Sequence, residues 1–135
     1  MSAFELHQQL AQDTVMVCQL TICQVLLMQD ARFPWLILVP KKAGLRELHD
    51  LDSDDYHQVM DEVATVSKAM QTLTDAHKMN VASLGNQVPQ LHIHIIARQP
   101  ADPAWPGPVW GVGSSERYSD DEIDVLVATL REALS

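Results

Sequence analysis

Two histidines separated by one residue are the side chains in this sequence best placed to do chemistry. His92 and His94 lie in the segment GNQVPQLHIHIIAR, residues 85–98. Strand residues alternate between two faces, so Gln90, His92 and His94 are predicted to share one face. The opposite face carries aliphatic side chains that favour a half-buried strand, namely Leu91, Ile93 and Ile95. The pattern therefore predicts a strand that is anchored in a core and presents imidazoles to a cleft.

Three interpretations of the histidine pair compete. Both can be structural residues whose polar atoms are satisfied within the fold. A His-x-His pair on a strand can also bind zinc, but a catalytic zinc needs a third protein ligand. The other histidines follow no recognisable ligand spacing: His7, His49, His57 and His77. The third interpretation is nucleophilic catalysis at phosphorus, because a neutral imidazole is a good nucleophile near neutral pH.

The neighbouring sequence favours the phosphorus interpretation. A phosphoryl-type transfer depends mostly on positioning and on neutralising charge. Backbone N–H groups of the Gly85-Asn86 turn, amide side chains and a second histidine can all contribute to this. The sequence therefore predicts a nucleophilic histidine with its phosphate-binding groups close by.

Composition limits the class of ligand. The chain has 135 residues, of which 47% are hydrophobic, and no linker, so residues 1–135 are expected to form a single domain. Its formal net charge of −9 argues against binding to DNA or RNA polymers, which requires clustered Lys and Arg. A small anionic ligand is still allowed if a local positive group is present. The candidates for that group are Lys41, Lys42 and Arg98.

No stretch of the sequence resembles a targeting or membrane-spanning segment. The first residues lack the basic and apolar regions of a signal peptide, and the apolar runs are far shorter than the roughly 20 residues that span a bilayer. The expectation is a cytoplasmic protein with no membrane association. Cys18 and Cys23 both lie in strand-like sequence and are predicted to be buried reduced thiols rather than a disulfide or a metal pair.

The remaining pattern indicates the elements that position the histidines. Predicted strands occupy a hairpin at 14–29, a third segment at 35–39 and a fourth at 79–84. Predicted helices cover 2–13 with Ser2 as cap, 53 to about 77 with Ser53 as cap, and 119–134 with a Ser119 and Glu122 capping box. Residues 99–118 are expected to form an irregular loop. We expect an α+β fold, with a long helix and a C-terminal helix on an antiparallel sheet of about five strands.

The histidine segment resembles the signature of the histidine triad (HIT) family, His-φ-His-φ-His-φ-φ, where φ is apolar. In QLHIHII, residues 90–96, Gln90 occupies the place of the first histidine. WLILVPKK is similar to the family's strand that ends in Pro and basic residues, and the order of predicted elements is that of a HIT domain. The form LGNxVPQLHxHIIAR resembles a divergent bacterial branch of HIT-like hydrolases.

This resemblance implies a hydrolase or nucleotidyl transferase that acts on a nucleoside 5′-phosphate joined to a leaving group. It assigns His92 as the nucleophile of a covalent nucleotidyl-histidine intermediate and His94 as a phosphate contact. Because the sequence offers neither a third zinc ligand nor an acidic cluster with magnesium spacing, no metal or other cofactor is expected. It also implies a homodimer. Trp105 and Trp110 lie in the irregular loop, and such aromatics are often covered at interfaces.

The resemblance further suggests which residues bind the substrate. Loop positions ahead of the nucleophile would contact the phosphate or leaving group, Asn80 would match an Asn on the preceding strand, and Asp30 would hold the ribose hydroxyls. The predicted substrate-binding residues are Asp30, Asn80, Gly85, Asn86, Gln87 and Gln90. Gln90 does not ionise near neutral pH, so we expect it to orient neighbouring groups rather than to transfer protons.

Gln90 also keeps a second class of function open. A chain that lacks the first histidine could be a nucleotide-binding or sensing protein that retains the pocket without turnover. A small metal-binding protein is a third possibility. Turnover of a nucleotide substrate distinguishes the first two classes, and metal analysis tests the third.

Overall fold

The computed structural model describes residues 3–135. Within them lie five strands, three α-helices and a short 3₁₀ helix, Leu48–Asp50. The strands are β1 (Thr14–Gln19), β2 (Cys23–Met28), β3 (Trp35–Pro40), β4 (Lys78–Ala82) and β5 (Ile93–Arg98). The helices are α1 (Gln8–Asp13), α2 (Ser53–Thr74) and α3 (Asp120–Ala133).

The strands form one antiparallel sheet in the order β1-β2-β3-β5-β4. This order places the histidine strand β5 inside the sheet, between β3 and β4. His94 lies opposite Ile37 of β3 and Ala82 of β4. The sheet, the long helix and the C-terminal helix confirm the predicted α+β fold.

The two faces of the sheet carry separate hydrophobic clusters. Leu91, Ile93 and Ile95 belong to the larger cluster, which also contains side chains of α2 and α3. Trp35 and Ile96 belong to the smaller cluster on the other face, together with Leu10 of α1 and Val109 of the irregular loop. The prediction that the aliphatic residues and the histidines occupy opposite faces is therefore confirmed for His92 and His94.

The first helix is shorter than predicted. Ser2, the predicted cap, lies outside the described residues, and α1 begins at Gln8 with His7 as its N-cap. Residues 3–7 are not helical because they are bonded elsewhere: the Glu5 carbonyl and the His7 backbone N–H both bind the side chain of Gln90.

Other element boundaries also differ from the predictions. The cap of α2 is Asp52, not Ser53, and its carboxylate accepts a 2.9 Å hydrogen bond from the backbone N–H of Asp55. This helix ends at Thr74 because Asp75 adopts a left-handed conformation. Strand β5 begins at Ile93, so Gln90 and His92 precede its ladder.

The C-terminal helix has the predicted capping box. The Ser119 hydroxyl accepts from the backbone N–H of Glu122, and the Glu122 carboxylate accepts from the backbone N–H of Ser119. Cys18 and Cys23 are both free cysteines; Cys23 is buried as predicted, whereas Cys18 is only half-buried. In the part of the chain that the structure describes, no helix is both long and apolar enough to cross a membrane.

Candidate functional site

A cleft of about 500 Å³ opens on the sheet face that carries the histidines. This volume is within the range of small-molecule sites. Its walls come from the N-terminal segment with α1, from β2 and β3, from the loop before β5, and from the irregular loop. The lining residues are His7, Gln9, Leu10, Asp13, Met28, Trp35, Ile37, Leu84, Gly85, Asn86, Gln87, Val88, His92, His94 and Trp110.

His92 and His94 lie side by side in this cleft, with ring centroids 4.9 Å apart. Both residues are buried, with only 5% of His92 and 4% of His94 exposed. An imidazole that is held so firmly can present one chosen nitrogen to a ligand. Which nitrogen that is depends on the hydrogen bond made by the other.

In His92 the available nitrogen is Nε2. Nδ1 lies 2.7 Å from the backbone carbonyl oxygen of Gln90. Because a carbonyl oxygen can only accept, Nδ1 must carry the hydrogen. In the neutral ring this leaves the lone pair on Nε2, which is the nitrogen that a nucleophilic histidine needs.

His94 has the opposite tautomer. Its Nδ1 accepts a 3.0 Å hydrogen bond from the indole Nε1–H of Trp35, so the hydrogen of the neutral ring is on Nε2. Burial, and to a smaller degree the charge of His92, lowers the pKa of His94 to about 4. At neutral pH His94 is therefore an uncharged donor through Nε2–H.

Two tryptophans complete this wall and were not predicted as site residues. The Trp110 ring lies 5.0 Å from the His94 ring and 5.8 Å from the Trp35 ring. Trp35 lies in an uninterrupted apolar strand, so the sequence pattern indicated only a core residue. The signal that could have identified it is that a buried indole N–H usually requires a hydrogen-bond partner. Trp105 and Trp110 do not need an interface to find packing partners. Trp110 packs against Trp35 and His94, and Trp105 packs against His77 and Arg98.

The loop before β5 brings three of the predicted substrate-binding residues to the cleft. Gly85, Asn86 and Gln87 line it together with His92 and His94. Gln90 is not among the residues that line the cleft, and its side chain binds backbone groups of the N-terminal segment. Its Oε1 accepts from the backbone N–H of His7, and its Nε2 donates to the Glu5 carbonyl, both at 2.8 Å.

Asp30 lies in an adjoining cleft of about 380 Å³ that shares Asp13, Met28, Trp35 and Trp110 with the first. Its buried carboxylate binds the Arg32 guanidinium, with an Oδ2 to Nη2 distance of 2.8 Å, and accepts from the backbone N–H of Glu116. Burial opposes ionisation, but these hydrogen bonds together hold the pKa of Asp30 below its ordinary value.

Asn80 is not brought to the histidine cleft. Its Oδ1 accepts a 2.8 Å hydrogen bond from Arg98, whose guanidinium also binds the Asp102 carboxylate.

Arg98 is only 1% exposed, so it is not the positive group expected at the site. Lys41 donates to Gln19 and the Leu20 carbonyl, and Lys42 pairs with Asp55. Within residues 3–135 no Lys or Arg lines the histidine cleft.

His7 is a third imidazole of the cleft that the sequence did not indicate. It lies 85 positions before His92, in a segment read as part of a helix, so no local pattern connected the two. Across residues 3–135, no group of three or more His, Cys, Asp or Glu side chains is arranged to hold a metal ion.

Comparison with known proteins identifies relatives along the whole chain. The HIT domain family model matches residues 9–101. A histidine triad protein from Bradyrhizobium japonicum is 42% identical, with a TM-score of 0.96 over 99% of this chain and 100% of the other. One from Marinobacter aquaeolei VT8 is 43% identical, with a TM-score of 0.96 over 98% and 97% of the two chains. No curated protein sequence matches the chain significantly.

A third structure agrees with these two. It is a histidine triad protein from Sinorhizobium meliloti 1021, 41% identical, with a TM-score of 0.94 over 97% of each chain. The family match covers well over half of this sequence, and it includes both histidines of the cleft. The chain belongs to the histidine triad (HIT) family.

Proposed function

We propose that this protein hydrolyses or transfers a nucleoside 5′-phosphate by way of a covalent intermediate on His92. Membership of the HIT family supports nucleotide hydrolase or transferase chemistry in general. The observation that carries the proposal is the opposite tautomers of the two adjacent imidazoles. One presents a lone pair to the cleft and the other presents an N–H.

The first step uses the lone pair on Nε2 of His92. It attacks the phosphorus, a P–N bond forms, and the bond from phosphorus to the leaving group breaks with its electron pair going to the leaving group. The imidazole then carries a positive charge. The hydrogen bond from Nδ1–H to the Gln90 carbonyl stabilises that charge, because hydrogen bonds from ionised donors are stronger than neutral ones.

His94 assists by donating a hydrogen bond. Its Nε2–H is directed to a non-bridging phosphate oxygen, where negative charge must be stabilised during attack. Asn86, Gln87 and the backbone of Gly85 supply further donors in a cleft without Lys or Arg among the described residues. In the second step water attacks the phosphorus, the P–N bond breaks with its electron pair returning to Nε2 of His92, and the water proton passes to solvent as the nucleoside 5′-monophosphate leaves.

The roles of the more distant predicted residues stay predictions. Asp30 could accept from a ribose hydroxyl if the nucleoside extends into the adjoining cleft, since that cleft shares Trp35 and Trp110 with the histidine site. Asn80 could act only through Arg98, to which it is bonded. A cytoplasmic location likewise stays a prediction from the sequence.

A homodimer is part of the same proposal. Strand β4 forms one edge of the sheet, and two apolar side chains at this edge are notably exposed: Val81 at 50% and Leu84 at 45%. An edge strand with exposed apolar residues is suited to pairing with a second copy. Leu84 also lines the histidine cleft, so pairing at this edge would lie close to the site.

A substrate panel tests the proposed activity. Nucleoside phosphoramidates and dinucleoside polyphosphates are assayed for release of nucleoside monophosphate, with and without a chelator. We expect turnover that the chelator does not change, a loss of several orders of magnitude in His92→Ala, and a smaller loss in His94→Ala. Tight nucleotide binding without turnover of any substrate would favour the binding or sensing function instead.

A further inference from the structure

The side chain of Gln90 fastens the N-terminal segment to the end of the histidine strand. Its amide makes two hydrogen bonds of 2.8 Å, one from Nε2 to the Glu5 carbonyl and one from the His7 backbone N–H to Oε1. Both ends of the amide are therefore committed to backbone more than eighty positions away. A histidine at position 90 could not reproduce this pair, because its two ring nitrogens point in diverging directions.

The fastened segment delivers His7 to the cleft. His7 and the His92–His94 pair line the same cavity, with His7 on the wall made by the N-terminal segment. Gln90 occupies the position of the first histidine in the family signature. Its side chain holds in place the backbone of another histidine, His7, which comes from the N-terminal segment.

One ring nitrogen of His7 is left for a ligand. The backbone N–H of His7 binds Gln90, its carbonyl accepts from Ala11, and its Nδ1 accepts from the backbone N–H of Gln9 at 3.0 Å. Because Nδ1 accepts, the hydrogen of the neutral ring is on Nε2. Within residues 3–135, Nε2 has no hydrogen-bond partner in the protein.

We propose that His7 is a phosphate-binding residue of this site and that Gln90 is its positioning residue. This inference rests on the proposed function. Nε2–H of His7 donates to a phosphate oxygen of the bound nucleotide, as Nε2–H of His94 does. The site then surrounds the phosphate with three imidazoles, and the third comes from the N-terminal segment.

Histidine NMR of the wild-type protein tests the contact without any substitution. The four common nucleoside 5′-monophosphates are titrated in turn, and the ring signals of His7, His92 and His94 are followed. We expect the three histidines to shift together, and His7 to keep its Nε2–H tautomer. Shifts in His92 and His94 without a shift in His7 would overturn this inference and leave the proposed function standing. If no nucleotide shifts any of the three, both fail.

Substitutions test the part played by Gln90. Serine is also a good N-cap but is too short to reach the ligand, so His7→Ser should keep the melting temperature and weaken binding of the tightest monophosphate about fivefold, the equivalent of one hydrogen bond. Gln90→Leu should cause a similar loss, and the double variant no further loss. The exposed His49→Ser is the matched control, and it should bind like wild type.

The contrary results are distinct. Wild-type affinity in His7→Ser would show that His7 only caps α1. Losses from His7→Ser and Gln90→Leu that add fully in the double variant would show that Gln90 does not act through His7.

Discussion

Nε1 of Trp35 donates a hydrogen bond to Nδ1 of His94 across the β3 and β5 pairing. This contact fixes which nitrogen of His94 carries the hydrogen, and so it determines whether His94 can donate to a ligand. Trp35→Phe removes the donor and leaves a buried acceptor unpaired, at a cost of about 1–3 kcal/mol in stability.

We expect Trp35→Phe to lower kcat about tenfold, because the His94 ring can then rest in the tautomer that lacks Nε2–H. Steady-state kinetics and thermal unfolding measure the two effects. Trp105→Phe is the matched control, since Trp105 packs against His77 and Arg98 instead of His94. Equal kcat values in the two variants would argue against the tautomer role.

His94 should titrate far below an ordinary histidine. Burial holds its pKa at about 4, against 6.5 for the unperturbed group, so the ring stays neutral through the mildly acidic range. The ring signal of His94, followed by NMR from pH 7 to pH 3.5, should show this directly. A midpoint near 6.5 would contradict the buried, Trp35-bonded ring.

The same shift makes stability depend on pH. Between pH 6.5 and about 4 the unfolded chain binds a proton at His94 and the folded protein does not, so unfolding is favoured as the pH falls. The contribution of His94 to the free energy of unfolding is fully present above pH 6.5. As the pH falls toward 4, the free energy of unfolding decreases by up to about 3 kcal/mol. Urea unfolding at several pH values gives the free energy of unfolding of wild type and of His94→Asn. Between pH 6.5 and 4 this free energy should fall more steeply with decreasing pH in wild type than in the variant.

The dimer prediction can be tested at the edge of the sheet. Val81→Lys places a charge on β4, where an edge strand would pair with a second copy. Sedimentation at micromolar concentration should show a dimer for wild type and a monomer for this variant. Val125→Lys, at a more exposed position on α3, should remain dimeric. A monomeric wild type would refute the prediction.

The sequence predicted well what depends on local pattern. Alternation along residues 91–95 correctly separated the aliphatic residues from the histidines, and Ser119 with Glu122 correctly located the start of α3. At α2 two adjacent residues, Asp52 and Ser53, could both serve as cap, and the pattern could not decide between them.

Long-range partners were beyond such patterns. The bonds from Gln90 to Glu5 and His7 keep residues 3–7 out of the predicted helix, and nothing near Gln90 indicates them. Trp35 and Trp110 resembled core and loop residues, yet both rings contact His94. Asp30 and Asn80 were linked to the substrate by resemblance, while in the fold their side chains bind Arg32 and Arg98.

The covalent intermediate at His92 is the central feature of the proposed mechanism. Rapid quenching in base during turnover, followed by peptide mass spectrometry at alkaline pH where the P–N bond survives, should find a nucleotidyl group on the peptide that contains His92. His94→Ala should carry the same label at a lower level, and His92→Ala should carry none and lose several orders of magnitude of turnover. Undiminished turnover in His92→Ala, or label on another residue, would contradict this mechanism.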